Sequence, residues 1–116
     1  TQLATLLDGF KQGANVTVDY NSLAGYNTEP LGKVTYNFTE KGAGVIVGYF
    51  CGHWHYETAR MLGTTNIVVF TTGFPQDKTL IGTELESSFA NIEVNKTKRT
   101  VSIKGVGQYT DRSFSY

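Results

Sequence analysis

Two histidines separated by one residue are the feature of this sequence that first suggests chemistry. His53 and His55 are the only histidines among the 116 residues. Neutral imidazole is the commonest metal ligand in proteins, and alternate residues of an extended segment project to the same face. We therefore predict that His53 and His55 share one divalent ion, or that each holds one ion of a close pair. The alternative is a pair of structural histidines satisfied by hydrogen bonds.

Further donors occur at the same alternate spacing. Cys51 precedes His53 by two residues and Glu57 follows His55 by two, so a thiol and a carboxylate are possible additional ligands. The alternatives are that Cys51 is a buried apolar thiol at a strand end and that Glu57 lies on the solvated face of a helical turn.

The residues interleaved with the histidines have simpler predicted roles. Gly52 has no side chain, so an ion, a water or a phosphate oxygen can approach the backbone there. Trp54 is expected to pack at the flank of the site.

The elements expected to position these residues are short buried strands. Residues 45–51 form an apolar run broken only by Gly48, which predicts a central strand buried on both faces. Residues 66–72 predict a second buried strand. The histidines thus follow a strand end, where loops commonly build sites. A short helix is predicted over residues 57–62.

The remaining elements follow from periodicity. Apolar residues at helical spacing predict a leading helix that Gly13 ends and that Thr1 could cap. Period-two alternation predicts strands near residues 16–20 and 34–38. A hairpin is predicted from residues 89–95 and 99–104, with Ala90, Ile92 and Val94 lining its inner face and Val101 and Ile103 opposite them. The residues that set these patterns are Leu3, Leu6, Leu7, Phe10, Val16, Val18, Tyr20, Val34, Tyr36, Phe38, Ala90, Ile92 and Val94.

Composition limits the classes of function. Ten basic and ten acidic side chains give a formal net charge of zero, so nucleic-acid binding is not indicated. One cysteine excludes an intramolecular disulfide, and no apolar run reaches membrane-spanning length. We expect residues 1–116 to form a single domain or part of one, of α+β, β-rich class.

Residues 45–57, VIVGYFCGHWHYE, resemble the last motif of calcineurin-like metallophosphoesterases, in which a strand ends in GHxH. The resemblance implies that His53 binds one metal of a dinuclear centre and His55 the other. The segments LLDGFKQG, KVTYNFTEKG and VGQYTDRSFSY extend the similarity to the C-terminal halves of phosphoesterases encoded by bacteriophages and prophages. The implied fold is the C-terminal part of a metallophosphoesterase-type β-sandwich.

The family's earlier motifs are absent from this sequence. It contains no GD or GNH triplet and no third histidine, so the bridging aspartate and the general-acid histidine have no counterpart. The resemblance therefore implies a C-terminal fragment with no catalytic residue of its own, inactive alone and weak in binding manganese, iron or zinc. Its implied partners are the missing N-terminal half, or a second copy bound through an exposed sheet face. The full protein would hydrolyse a phosphate ester, in the bacterial cytoplasm or a phage virion.

Two other interpretations remain open at this point. The chain could be a phage or prophage structural or binding module that retains the sheet without catalysis. It could also be a cupin-like β-barrel with a mononuclear metal site, although a cupin expects a glutamate several residues after HxH and a later histidine. Here Glu57 follows His55 by only two residues.

Overall fold

The computed structural model describes residues 1–23, 32–52, 56–70 and 77–116. These residues form a small, strand-rich α+β protein with one α-helix and eight strands. In chain order the elements are α1 (Gln2–Gln12), β1 (Asn15–Asp19), β2 (Lys33–Asn37), β3 (Tyr49–Cys51), β4 (Thr58–Leu62), β5 (Thr65–Val69), β6 (Phe89–Asn95), β7 (Thr100–Val106) and β8 (Arg112–Ser115). No helix in the described ranges is long and apolar enough to span a bilayer.

The described chain divides into two compact units. The first unit comprises Thr1–Ile46 and the short segment Leu62–Thr65, and the second comprises Val47–Met61 and Asn66–Tyr116.

Helix α1 of the first unit begins and ends at the predicted residues. The hydroxyl of Thr1 accepts a hydrogen bond from the Ala4 N–H, and Gly13 closes the helix in the left-handed conformation, with φ of 62°. That conformation favours glycine because it has no Cβ. Gly9 lies against Val16, where a Cβ atom would collide with the valine side chain. This close approach explains a glycine inside the helix.

Strands β1 and β2 form the antiparallel hairpin on which α1 packs. Their register pairs Val16 with Tyr36 and Val18 with Val34, and Val18 is buried. The ring of Phe10 from α1 meets the edge of Phe38 at a centroid distance of 5.6 Å. Both predicted strands of this unit are confirmed.

The second unit contains two three-stranded sheets, with orders β3-β5-β4 and β6-β7-β8. Side chains from both sheets meet in one core centred on Val68 of β5 and on Val101 and Ile103 of β7. Phe50 of β3 and Phe114 of β8 extend this core. The unit is therefore β-sandwich-like, as expected from the sequence.

The second sheet confirms the predicted hairpin. Strands β6 and β7 pair antiparallel, with Ile92 opposite Ile103 and Val94 opposite Val101. The chain end adds strand β8 along β7 and places Phe114 opposite Val101.

Two predictions for the residues that flank the histidine segment, residues 53–55, are wrong. The run 45–51 is a strand only over Tyr49–Cys51, and it lies at a sheet edge because β5 takes the central position. The short helix predicted over residues 57–62 is not formed, because Thr58–Leu62 is strand β4. A helix of one to two turns is too short to be stable alone, whereas the two-residue turn at 63–64, with Gly63 at φ of 58°, lets β4 pair with β5.

Candidate functional site

The candidate site lies where two parallel strands of the second unit end together. Strands β3 and β5 pair in parallel, with Phe50 beside Val68 and Cys51 beside Val69. One residue further, the Phe70 N–H donates a hydrogen bond of 2.8 Å to the Cys51 carbonyl. The carboxyl ends of both strands therefore meet at one edge, which is where open sheets with parallel strands commonly bind ligands.

The predicted metal ligands follow directly from this edge. His53 and His55, together with Trp54, lie outside the described residues. Their metal ligation therefore stays a prediction. Within residues 1–23, 32–52, 56–70 and 77–116, no group of three or more histidine, cysteine, aspartate or glutamate side chains could hold a metal ion.

Cys51 and Gly52 form the described side of the edge. Cys51 is a partly exposed free thiol at the end of β3. Gly52 is exposed, and a Cβ atom there would lie 3.6 Å from the Phe70 carbonyl oxygen, an ordinary contact. Crowding among the described residues therefore does not explain this glycine, and its backbone is open to approach from solvent.

Glu57 lies on the C-terminal side of the histidine segment. Its two carboxylate oxygens accept the Thr110 N–H at 3.1 and 3.2 Å, and one of them accepts the Arg112 Nε–H at 3.2 Å. The Glu57 side chain is 11% exposed and that of Arg112 is 29% exposed. The expectation of a solvated helical face for Glu57 is therefore wrong, because β4 begins at the next residue and turns the carboxylate towards β8.

The surroundings of Glu57 keep its carboxylate ionised. Burial works against the charged form, but hydrogen bonds from Arg112 and Thr110 and the charge of Arg112 outweigh it and lower the pKa of Glu57 below its ordinary value. Burial, with the nearby charge of Glu57, raises the pKa of Tyr109 above its ordinary value. The Tyr109 ring packs on Phe70 at a centroid distance of 5.2 Å.

These contacts fix both ends of the histidine segment. Upstream, the carbonyl of Cys51 is bonded to the strand end of β5. Downstream, Glu57 is bonded to the start of β8. A loop whose ends are held by rigid elements loses less conformational entropy when it binds a ligand. Glu57 as a direct metal ligand stays a prediction, and such a role would have to coexist with the bonds to Thr110 and Arg112.

The sequence did not reveal Arg112 and Thr110 as part of this region. They lie 55 and 53 residues from Glu57, and no local periodicity links positions so far apart. The only available signal was the opposite charge of Glu57 and Arg112, which is shared by many other pairs in the chain.

The first unit carries a different kind of concavity. An apolar groove of about 460 Å³ is lined by side chains of α1 and β2 and of the residues that follow β2, namely Leu6, Leu7, Phe10, Tyr36, Phe38 and Ile46. The Tyr36 hydroxyl is hydrogen-bonded to that of Tyr20 at 2.7 Å. The groove presents hydrocarbon surface and offers no pair of groups suited to acid–base chemistry.

Comparison with known proteins identifies no relative. No family model, no curated protein and no solved structure matches the chain. The resemblance of residues 45–57 to the last metallophosphoesterase motif therefore stays a prediction.

Proposed function

We propose that this chain supplies the last metal-ligating segment of a metal-dependent phosphoesterase of the calcineurin-like type. His53 would bind one divalent ion and His55 the other. The observation that carries the proposal is the position of the HxH sequence, directly after the carboxyl end of β3, where β3 and β5 run in parallel.

The donor set suits such ions. Imidazole nitrogen is a ligand for zinc, iron and other transition metals. When bound, a pair of ions roughly 3.5–4 Å apart supplies an activated water and stabilises charge on a phosphate. In this chain, His53 and His55 would hold the ions, and the open backbone at Gly52 leaves room for a substrate oxygen. Glu57 with Arg112 would keep the downstream end of the segment in place.

Two imidazoles are too few for a complete site. Structural and catalytic zinc sites use three or four protein ligands, and the outer partners of those ligands further tune affinity. We therefore expect weak metal binding and background phosphatase activity from the chain alone. The bridging carboxylate and the general acid are expected in another part of a longer protein.

The decisive experiment extends the chain. The gene should be sequenced upstream and the longest open reading frame expressed. We expect it to add the missing GD and GNH motifs and to hydrolyse a chromogenic phosphate ester with manganese, in a reaction that EDTA stops.

In that longer protein, His53→Ala and His55→Ala should each abolish turnover. The control is Lys41→Ala, which changes an exposed side chain and should leave turnover intact. Robust EDTA-sensitive turnover by residues 1–116 alone would contradict the fragment interpretation. A longer protein without the motifs would contradict the phosphoesterase proposal itself.

A further inference from the structure

Strand β6 leaves an open edge on the second unit. Among the described residues it has a strand neighbour on one side only, β7. It is the longest edge strand, with seven residues, whereas β3 has three, β8 has four, and β1, β2 and β4 have five each. Its sequence FANIEVN contains no lysine, arginine or proline. Proteins usually block edge-to-edge pairing with charged side chains, lysine above all, and with proline, and this strand carries one charged side chain, Glu93.

The apolar layer of the core continues onto this edge without being covered. Ile92 and Val94 lie directly opposite Ile103 and Val101, so all four share one face of the sheet. Ile103 and Val101 are 1% and 0% exposed, whereas Ile92 and Val94 are 42% and 40% exposed. The apolar face of the sheet that is buried at β7 is thus exposed to solvent at the neighbouring strand, β6.

The sequence of β6 is self-complementary. In an antiparallel pair centred on Ile92, the isoleucine faces its own copy and Ala90 faces Val94. The apolar positions of the two strands then coincide on the core side. On the other face, Asn91 lies opposite Glu93, so an amide meets the only charged side chain of each strand. No like charges are opposed.

We propose that two copies of this chain associate edge to edge through β6, antiparallel about Ile92. The pairing joins two three-stranded sheets into one of six strands. It brings Ile92 against Ile92 of the partner copy and Val94 against the partner's Ala90, and it satisfies the open backbone groups of both edges. The C2 symmetry follows from the self-complementary strand.

The association is expected to be weak. A single strand pair buries less than the roughly 1,200 Å² typical of stable interfaces. Monomer and dimer should therefore be in a reversible equilibrium that depends on protein concentration. Sedimentation velocity over a wide concentration range is the suitable measurement. The full wild-type chain should shift from monomer to dimer as concentration rises.

Charge substitutions at the symmetry axis test the register. Ile92→Lys and Ile92→Glu each place like charges face to face, so each variant should remain monomeric. A one-to-one mixture of the two variants should restore dimers, because lysine then faces glutamate. Met61→Lys changes a similarly exposed side chain on another edge strand, β4, and should dimerise like the wild type. Circular dichroism should show that every variant is folded.

Cross-linking gives an independent test of the same pairing. Directly opposed residues in an antiparallel pair have Cα atoms about 4.5–5.5 Å apart, within the range that a disulfide requires. In a Cys51→Ser background, Ile92→Cys should form a disulfide-linked dimer on mild oxidation, and Met61→Cys should not. A mixture of Asn91→Cys with Glu93→Cys should give the mixed dimer.

Three results would overturn the proposal: a wild-type chain that stays monomeric at all concentrations, an Ile92→Lys variant that still dimerises, or cross-linking equal at residues 61 and 92. The first would assign the open edge to a segment of a longer protein. The second would assign the dimer to another surface.

Discussion

Two carboxylates, one in each unit, perform the same structural task in different surroundings. Asp8 on α1 accepts the N–H and the hydroxyl of Thr64 at 2.9 and 2.7 Å. Glu57, ahead of β4, accepts the N–H of Thr110 and the Nε–H of Arg112. Each acid holds a segment more than 50 residues away in sequence. They differ in burial, since Asp8 is in a solvent-exposed bond and Glu57 is nearly buried beside a cation.

The difference in burial decides how much each contact contributes to stability. Water can replace an exposed hydrogen bond at little cost. Glu57 and Arg112 form a partly buried ion pair, and removing one member leaves the other charge with less compensation from water than at an exposed site. Substitutions in the Glu57–Arg112 contact beside the histidine segment should therefore cost more stability than substitutions in the Asp8–Thr64 contact of the first unit.

Glu57→Gln should have the largest effect on stability. The substitution keeps the size of the side chain but leaves the Arg112 guanidinium without its counter-charge. We expect a loss of about 2–3 kcal/mol in the free energy of unfolding, measured by urea denaturation. The exposed Glu84→Gln serves as the control and should change stability by less than about 0.5 kcal/mol. Equal losses in the two variants would show that the Glu57 contact contributes nothing.

Acid should weaken the chain through the same two groups. The pKa of Glu57 is lowered despite its burial, by bonds to Arg112 and Thr110, and the pKa of Asp8 is lowered first by the Thr64 hydroxyl and then by its N–H. A carboxyl with a lowered pKa in the folded state stabilises it fully above the unfolded pKa, about 4.3 for glutamate. That contribution disappears as pH falls through the folded pKa.

Urea midpoints between about pH 6 and pH 3 should therefore decline on the acid side. The decline should be shallower in Glu57→Gln than in Asp8→Asn. A wild-type midpoint that rises as pH falls through this window would contradict the assignment.

Thr65→Val should stabilise the chain. The Thr65 side chain is 1% exposed, and its hydroxyl has no hydrogen-bond partner within the described part of the chain. Valine has nearly the same shape without the unsatisfied group, so we expect a gain of about 1 kcal/mol. The neighbouring Thr64→Val is the matched control and should lose stability, because the Thr64 hydroxyl is bonded to Asp8. A loss in both variants would indicate that Thr65 has a partner.

Asp8→Asn should have the smallest global effect. Its bond to the Thr64 N–H is exposed, so the change should be visible locally as faster amide hydrogen exchange at Thr64. Exchange at the Thr110 amide should not change in this variant, and it should accelerate in Glu57→Gln. A large drop in global stability for Asp8→Asn would remove the contrast between the two carboxylates.

Local patterns were sufficient for the parts of the fold whose contacts are local. The helix from Thr1 to Gly13 and the β6–β7 hairpin were predicted because capping residues and period-two alternation act between near neighbours. The prediction of a central strand over residues 45–51 was wrong because an apolar run does not tell which strand of a sheet is central. The helix predicted over residues 57–62 was wrong because alanine, arginine, methionine and leucine favour helix, whereas pairing with β5 overrides that preference.

The candidate site was predictable only in part. Its two histidines are separated by a single residue, and the strand that precedes them was recognised, although not its edge position. The parallel pairing of β3 with β5 and the bond from Glu57 to Arg112 depend on contacts between distant residues. Such contacts leave no spacing pattern that a single sequence could reveal.

Metal ligation by the histidine pair is best tested by titrating the chain with zinc and following the imidazole resonances of His53 and His55 by nuclear magnetic resonance. We expect zinc to shift both sets of resonances together and saturably, with weak affinity, and the double variant His53→Ala/His55→Ala to lose all specific binding. We also expect the purified chain to retain well under one ion per molecule by elemental analysis. Resonances that do not respond to millimolar zinc, or a tightly held stoichiometric ion, would contradict the claim that this chain is half of a metal site.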